Sequence, residues 1–108
     1  MNRSLLLFVL ISSLLVKSVT PWAIYMWPEI EYKGKAIGVA GEEEECVPLP
    51  SFFTAASINP RDFCVNLYET ADCSGVKYAF FQSSLNLNNL NRIIRKRVGS
   101  VKSCNTDY

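Results

Sequence analysis

The 108-residue sequence contains no histidine, and this absence narrows the chemistry that the chain can carry. Histidine is the one side chain whose ordinary pKa lies near neutral pH, so the chain has no ready general base. The remaining residues do not form a recognisable set of nucleophile, base and oxyanion-stabilising group. We therefore expect a protein that is not an enzyme.

Closely spaced cysteine pairs of the CxxC type are absent too, and with them the usual pattern of a zinc site. The four cysteines are widely spaced, at Cys46, Cys64, Cys73 and Cys104. An even number of cysteines in a short chain is typical of disulfides formed in an oxidising compartment. We predict two disulfides and neither metal nor cofactor, and spacing alone leaves all three pairings open.

Long apolar runs are scarce, and the one that is present lies near the N-terminus. Residues 5–16 (LLLFVLISSLLV) follow Arg3. The run is shorter than the roughly 20 residues that a membrane span needs, and its length is typical of a signal peptide. We predict a signal peptide over residues 1–18, with cleavage possible up to residue 23, and one secreted domain over residues 19–108. An uncleaved membrane anchor is the alternative.

An excess of charge of either sign is also lacking. The chain has 11 basic and 10 acidic side chains, and removal of residues 1–18 leaves nine and ten. A balance this close to neutral gives no general attraction to nucleic acid, so no nucleic-acid partner is expected. Locally, residues 42–45 are four consecutive glutamates. They indicate a solvated loop, with a loose cation site or an electrostatic contact to a basic partner as the alternatives.

A second local concentration of charge is the better candidate for binding. It consists of Arg92, Arg95, Lys96 and Arg97. Such a segment suits an extracellular partner with a negative surface, whether an anionic glycan, a lipid or a protein. The alternative is again a solvated loop.

The chain after residue 20 lacks a long helical period and shows short β-type runs. These runs are residues 23–27, 36–39, 63–68, 76–81 and 98–102, separated by glycines and prolines. The partial alternation of residues 65–68 indicates a half-buried strand. We predict an all-β domain.

Two parts of the chain share one pattern: an aromatic residue, four residues, a bulky residue, one residue and a glycine, followed later by a serine. The first set is Trp27, Tyr32, Gly34 and Ser57, and the second set is Tyr68, Cys73, Gly75 and Ser100. The leading aromatic residues are 41 positions apart and the serines 43 positions apart. Matched spacing of this kind indicates a duplicated supersecondary unit.

The repeated pattern resembles the Greek-key motif of the βγ-crystallin superfamily. The resemblance implies two Greek-key motifs that exchange one strand and form a two-sheet sandwich, with the motif residues acting structurally. Glycine then allows a positive φ, and the serine hydroxyl bonds to backbone groups of a hairpin. Cys73 departs from the pattern because it replaces an aromatic residue. The same analogy favours Cys64–Cys104 and Cys46–Cys73 as the disulfide pairs.

Many members of that superfamily bind calcium through two Asn or Asp residues placed just before the signature serine. The corresponding stretches here are residues 52–57 (FFTAAS) and 95–100 (RKRVGS), and neither contains such a pair. The second stretch is strongly basic, which opposes binding of Ca²⁺. We therefore expect no calcium site of the family type.

The leading hypothesis for function is a secreted, non-enzymatic βγ-crystallin-like protein. It would act by recognising an extracellular surface or as a stable structural component. The resemblance also implies two alternatives, because small secreted members include toxin-like or antimicrobial proteins and proteinase inhibitors. A toxin-like protein would bind microbial surfaces through the basic segment, and an inhibitor would present an exposed loop such as the turn at residues 48–50.

Overall fold

The computed structural model describes residues 21–104, and the predicted signal peptide at residues 1–18 lies outside them. The described part confirms the all-β prediction. Its strands are β1 (Trp22–Trp27), β2 (Ile37–Gly41), β3 (Val47–Pro48), β4 (Ser57–Asn59), β5 (Val65–Tyr68), β6 (Lys77–Phe80) and β7 (Ser100–Ser103). Two short 3₁₀ helices, Ile30–Tyr32 and Leu90–Arg92, lie in the connections.

The strands form two antiparallel sheets that exchange segments between the two halves of the chain. The first sheet has the order β2-β1-β4 and the second the order β3-β7-β5-β6. Strand β3 follows β2 in sequence but pairs with β7, with Val47 opposite Val101. Conversely, a segment of the second half of the chain lies beside β4 of the first sheet, where the Ile58 N–H donates to the Leu87 carbonyl at 2.9 Å. Each half of the chain therefore completes the sheet of the other half.

The core lies between the two sheets and is built by alternation along the strands. In β1, Trp22, Ile24 and Met26 are buried, while the residues between them face outwards. They join side chains of the second sheet, including Val65, Leu67, Phe80 and Val101, in one apolar cluster. Alternation of this kind is expected where one face of a sheet packs on a core.

Strand β5 is an exception, and here the sequence-based prediction of a half-buried strand is wrong. All four of its residues are buried, including Asn66, which is 2% exposed. The reason is its place in the sheet, because β5 lies between β7 and β6 and has a neighbour on both sides. The pattern of apolar residues records one face of a strand and not its position in a sheet.

The two signature hairpins have the same backbone conformation at corresponding positions. Gly34 has φ of 88° and Gly75 has φ of 82°, in the region that favours glycine. Two residues before each glycine, Tyr32 and Cys73 also have positive φ, 59° and 57°. A side chain at Gly34 would in addition approach the Pro28 ring to 2.7 Å.

Two disulfides connect elements that are distant in sequence. Cys46 pairs with Cys73 and Cys64 with Cys104, with Cα atoms 5.9 Å and 5.5 Å apart. These are the pairs that the resemblance favours. The first disulfide joins the segment before β3 to the second hairpin, and the second joins the start of β5 to the end of β7. Loop closures of 27 and 40 residues each stabilise a folded chain by about 3–4 kcal/mol in the chain-entropy account.

Candidate binding surface

The basic segment of the chain is a fixed loop that displays cations. It begins at the end of the 3₁₀ helix Leu90–Arg92 and runs to β7. Ile94 and Val98 are 3% and 2% exposed, so both anchor the loop in the core. Between these anchors the side chains of Arg95 and Lys96 are exposed. The loop therefore presents its charge at a defined place.

Arg97 uses its guanidinium to hold a neighbouring turn. Its Nε atom donates to the Phe53 carbonyl at 3.1 Å, and its Nη2 atom donates to the carbonyls of Pro50 and Phe53 at 2.6 and 2.8 Å. Arg97 is one of the predicted binding residues, and these contacts give it a positioning role. Hydrogen bonds from a charged donor contribute more than neutral ones, so this contact fixes the two loops beside each other.

The turn that Arg97 holds carries an exposed aromatic residue, Phe52. Its side chain is 85% exposed, whereas the adjacent Phe53 is 5% exposed. Sequence reasoning missed this residue, although the doublet of phenylalanines after a proline was a usable signal because a tight turn cannot bury both rings. We name the set of Phe52, Arg95, Lys96 and Arg97 the basic tip. It combines one apolar side chain with three cations on two adjoining loops.

Arg92, the remaining basic candidate, lies at the end of the 3₁₀ helix and is exposed. Ile93 and Ile94 separate it from Arg95, and Ile94 is buried in the core. Leu87, which precedes this helix, and Leu90, which begins it, are buried, whereas Leu85 is 80% exposed. Arg92 therefore belongs to the same loop but is not part of the basic tip.

The two signature serines have matching structural positions. The Ser57 hydroxyl donates to the Glu29 carbonyl at 2.7 Å and accepts from the Tyr32 N–H at 3.1 Å. The Ser100 hydroxyl donates to the Thr70 carbonyl at 2.6 Å and accepts from the Cys73 N–H at 3.0 Å. Both serines are fully buried. Each serine therefore satisfies one donor and one acceptor of the folded hairpin in its own half.

The aromatic residues of the first hairpin pack on one another. The Trp27 and Tyr32 rings meet edge to face with centroids 5.1 Å apart, a favourable geometry for aromatic rings. In the second hairpin the leading aromatic residue, Tyr68, is 7% exposed, and Cys73 has a disulfide in place of a ring. The disulfide takes over the fixing of this hairpin.

Two titratable groups near the second hairpin have shifted pKa values. Hydrogen bonding from the hydroxyls of Ser74 and Thr70 lowers the pKa of Asp72 below its ordinary value. Partial burial raises the pKa of Tyr78, and the negative charge of Glu69, which accepts a 3.2 Å hydrogen bond from it, adds to the shift. Both groups stabilise local structure and neither lies in the basic tip.

The turn at residues 48–50, which the inhibitor alternative would use, exposes Pro48 and Pro50 but buries Leu49. Pro48 belongs to β3 and pairs with Ser100. Leu49 is 8% exposed, and its N–H donates to the Gly99 carbonyl at 2.9 Å. The Pro50 carbonyl accepts from Arg97. Leu49 and the Pro50 carbonyl therefore fix this segment, while its two prolines stay exposed, and β3 is a short edge strand in which a proline can be tolerated.

Within residues 21–104, no cluster of three or more cysteine, aspartate or glutamate side chains is arranged to hold a metal ion. In the same part of the chain, no helix has the length and apolar character that a membrane span requires. The chain matches no protein-family model, no curated protein and no solved structure.

Proposed function

We propose that this chain is a secreted, non-enzymatic protein that binds anionic lipid surfaces through the basic tip. The observation that carries the proposal is the contact of Arg97 with Pro50 and Phe53, which places the exposed Phe52 beside a cationic loop. An apolar side chain next to cations is the combination that an anionic interface favours. The two disulfides are compatible with an extracellular location.

The free energy of binding to an anionic membrane has two contributions here, the burial of an apolar side chain and the attraction of the basic side chains. Burying a phenylalanine side chain in an apolar environment is worth about 1.5–3 kcal/mol. Each basic residue near an anionic surface adds about 1 kcal/mol. Phe52 with Arg95 and Lys96 therefore gives about 3.5–5 kcal/mol. Binding of this strength is reversible and salt-sensitive, and it requires both the apolar and the electrostatic contribution.

We also infer that the fold is a βγ-crystallin-like sandwich of two Greek-key motifs. Three features support this assignment: the order of strands in the sheets, the exchange of β3 between the halves, and the matching serine contacts at Ser57 and Ser100. The positive φ values of Gly34 and Gly75 agree with the motif. A crystal structure whose halves superpose on each other strand by strand is the test.

The absence of a family-type calcium site remains part of the proposal. The two stretches that would supply ligands adjoin each other, and the cationic group between them is the Arg97 guanidinium bound to the Phe53 carbonyl. A protein cation at that place competes with Ca²⁺ for the same oxygen. The expected result is an unchanged melting temperature at millimolar calcium, and a clear rise would refute it.

Binding to vesicles tests the lipid proposal directly. The mature protein is sedimented with vesicles of phosphatidylcholine alone and with vesicles that contain phosphatidylglycerol. We expect binding to the anionic vesicles and its loss in high salt. Phe52→Ser and the double variant Arg95→Glu with Lys96→Glu should each reduce binding at least tenfold.

Matched controls separate the basic tip from general effects of charge and apolar surface. Leu85→Ser removes an equally exposed apolar side chain elsewhere, and Lys33→Glu with Lys35→Glu makes the same change of net charge in the first hairpin. Both controls should bind like the unmodified chain. Equal losses in tip and control variants would contradict the proposal. Binding to heparin beads that depends on Arg95 and Lys96 but not on Phe52 would favour an anionic glycan instead.

A toxin-like or antimicrobial role is a consequence of the same surface if the lipid belongs to a microbe. Leakage of a dye from anionic vesicles, with the same variants, distinguishes damage to the membrane from simple attachment. The structure offers no comparable support for inhibition of proteinases at residues 48–50, because that segment is held by hydrogen bonds and by the core.

A further inference from the structure

The described strands leave three open sheet edges, and they are protected unequally. The first sheet ends at β2, and the second ends at β3 and β6. The other end of the first sheet, β4, is joined by the segment around Leu87 and Leu90. Open edges expose unpaired backbone groups that can pair with another chain, and proteins block them with lysine, proline or very short strands.

Two of these edges carry such protection and β2 does not. Strand β3 has only two residues and includes Pro48, and β6 begins with Lys77. Strand β2 has five residues, Ile-Gly-Val-Ala-Gly, with neither charge nor proline. The 41-residue repeat aligns Ala36 with Lys77, so the second half protects the edge that the first half leaves open. A groove of about 440 Å³ runs beside β2, lined by residues 37–40 and 47–50.

The two ends of β2 carry opposite charges. Lys33 and Lys35 precede the strand, and the four glutamates at residues 42–45 follow it. Glu45 is engaged locally, because its carboxylate accepts from the Glu42 N–H at 2.9 Å. Glu44 is exposed and Glu43 half-buried. The Glu29 carboxylate lies beside Gly34, between the two lysines, and offsets part of their charge. The exposed backbone edge therefore has a weakly positive end and a strongly negative end.

From this arrangement we infer that β2 pairs with β2 of a second copy of the chain, antiparallel, about a twofold axis near Val39. Antiparallel pairing brings the lysine end of each copy to the glutamate end of the other, so the edge is complementary to itself. Opposite-charge pairs across antiparallel strands are stabilising, and like-charge pairs are destabilising. The two three-stranded sheets become one six-stranded sheet in the order β4-β1-β2-β2-β1-β4.

The outer face of β2 allows this approach. Gly38 and Ala40 point away from the core, and neither residue projects a bulky side chain. Five residues extend about 17 Å, so the contact is small and belongs to the weak, transient class of interfaces. The dimer should therefore form at high protein concentration and dissociate on dilution or in high salt.

Sedimentation of the mature protein over a wide concentration range is the first test. We expect monomers at about 10 μM and a growing fraction of dimers towards about 1 mM, as a weak interface requires. Amide signals that shift with concentration should be confined to Ile37–Gly41 and its flanks. A chain that stays monomeric throughout, or shifts located on Lys77–Phe80 instead, would overturn the inference.

Charge-exchanged variants give the sharper test. Glu42→Lys, Glu43→Lys and Glu44→Lys together leave only Glu45 against three lysines, so both ends of β2 become positive, and Lys33→Glu with Lys35→Glu makes both ends negative. Each variant alone should associate at least tenfold more weakly than the unmodified chain, and an equal mixture of the two should form a heterodimer. No gain on mixing would refute pairing of the charged ends.

Two controls complete the design. Ala40→Lys places a lysine on β2 and should abolish self-association, whereas Ala79→Lys makes the same change on β6 and should leave it intact. Circular dichroism melts of all variants check that they are folded. Arg95→Glu with Lys96→Glu weakens vesicle binding but leaves dimerisation unchanged, so failure of either proposal is recognised separately.

Discussion

Replacement of the two signature serines by alanine tests whether their hydroxyls hold the two folded hairpins in the same way. Ser57→Ala and Ser100→Ala each remove a fully buried hydroxyl that makes two hydrogen bonds to a hairpin. In both variants, one N–H donor and one carbonyl acceptor lose their partner. Because the contacts match in type and length, the two substitutions should destabilise the fold to a similar extent.

The expected magnitude follows from the hydrogen bonds that are lost. A typical intramolecular hydrogen bond contributes about 0.5–1.5 kcal/mol net. Two of them give about 1–3 kcal/mol for each serine. In a domain of 60–100 residues, each kcal/mol moves the melting temperature by about 4–8 °C. Each variant should therefore melt at least about 4 °C lower, and the midpoint in urea should fall with an unchanged slope.

Thermal and urea unfolding followed by circular dichroism is the measurement. Ser83→Ala is the control, because Ser83 is exposed. It should change the melting temperature by at most about 2–4 °C, which corresponds to about 0.5 kcal/mol or less for surface substitutions. Ser57→Ala should in addition alter the near-ultraviolet signal, since the Trp27 and Tyr32 rings depend on this hairpin. If either serine variant melts with the control, the matched roles of the two serines are refuted.

Three further predictions concern the rest of the domain. The double variant Cys46→Ala with Cys73→Ala should lose about 3–4 kcal/mol of unfolding free energy in urea, and a loss below about 1 kcal/mol would contradict the role given to this disulfide. The folded state raises the pKa of Tyr78, so its contribution is present below the ordinary tyrosine pKa of 10.0 and is lost as the pH rises through the folded value. Tyr78→Phe should therefore flatten the fall of stability above pH 10, and an unchanged profile would assign that fall to other groups. If the chain is processed as a signal peptide predicts, sequencing of its mature form should find Trp22 retained, because its side chain is 2% exposed and its indole N–H donates to the Glu42 carbonyl at 2.8 Å. A mature chain that starts at residue 24 would be a contrary result.

Much of the fold could be predicted from the sequence because short-range patterns record it. The five β-type runs lie on β1, β2, β5, β6 and β7, with boundaries that differ by one or two residues. The two-residue strand β3 was missed, since Val47 and Pro48 have too little pattern to distinguish a strand from a turn. Its place in the sheet depends on pairing with Val101, and contacts between residues so far apart in sequence leave no local signal.

The candidate site could be predicted only in part, for a different physical reason. A run of basic residues is visible in any sequence, and Arg95 and Lys96 are exposed as expected. Arg97 has the same chemistry but turns inwards to carbonyl oxygens, which depends on the turn of another loop. Phe52 has an apolar side chain and would be assigned to the core by composition alone, whereas the short turn of residues 50–53 leaves room for Phe53 only.

The repeated sequence pattern explains why the proposed functions lie where its two copies differ. The repeat aligns residues 52–54 (FFT) with residues 95–97 (RKR), and the hydrogen bonds from Arg97 to Phe53 bring these two loops together. If these two corresponding loops had identical residues, both would carry the same chemical groups. Here one loop supplies the aromatic ring of Phe52 and the other supplies the cations. The two halves also differ at their sheet edges, because β2 has no charged side chain whereas β6 begins with Lys77. Positions that the halves share, such as Ser57 and Ser100, maintain the fold, so substitutions there should reduce stability. Substitutions at the exposed residues Phe52, Arg95 and Lys96 should instead reduce binding and leave the melting temperature unchanged.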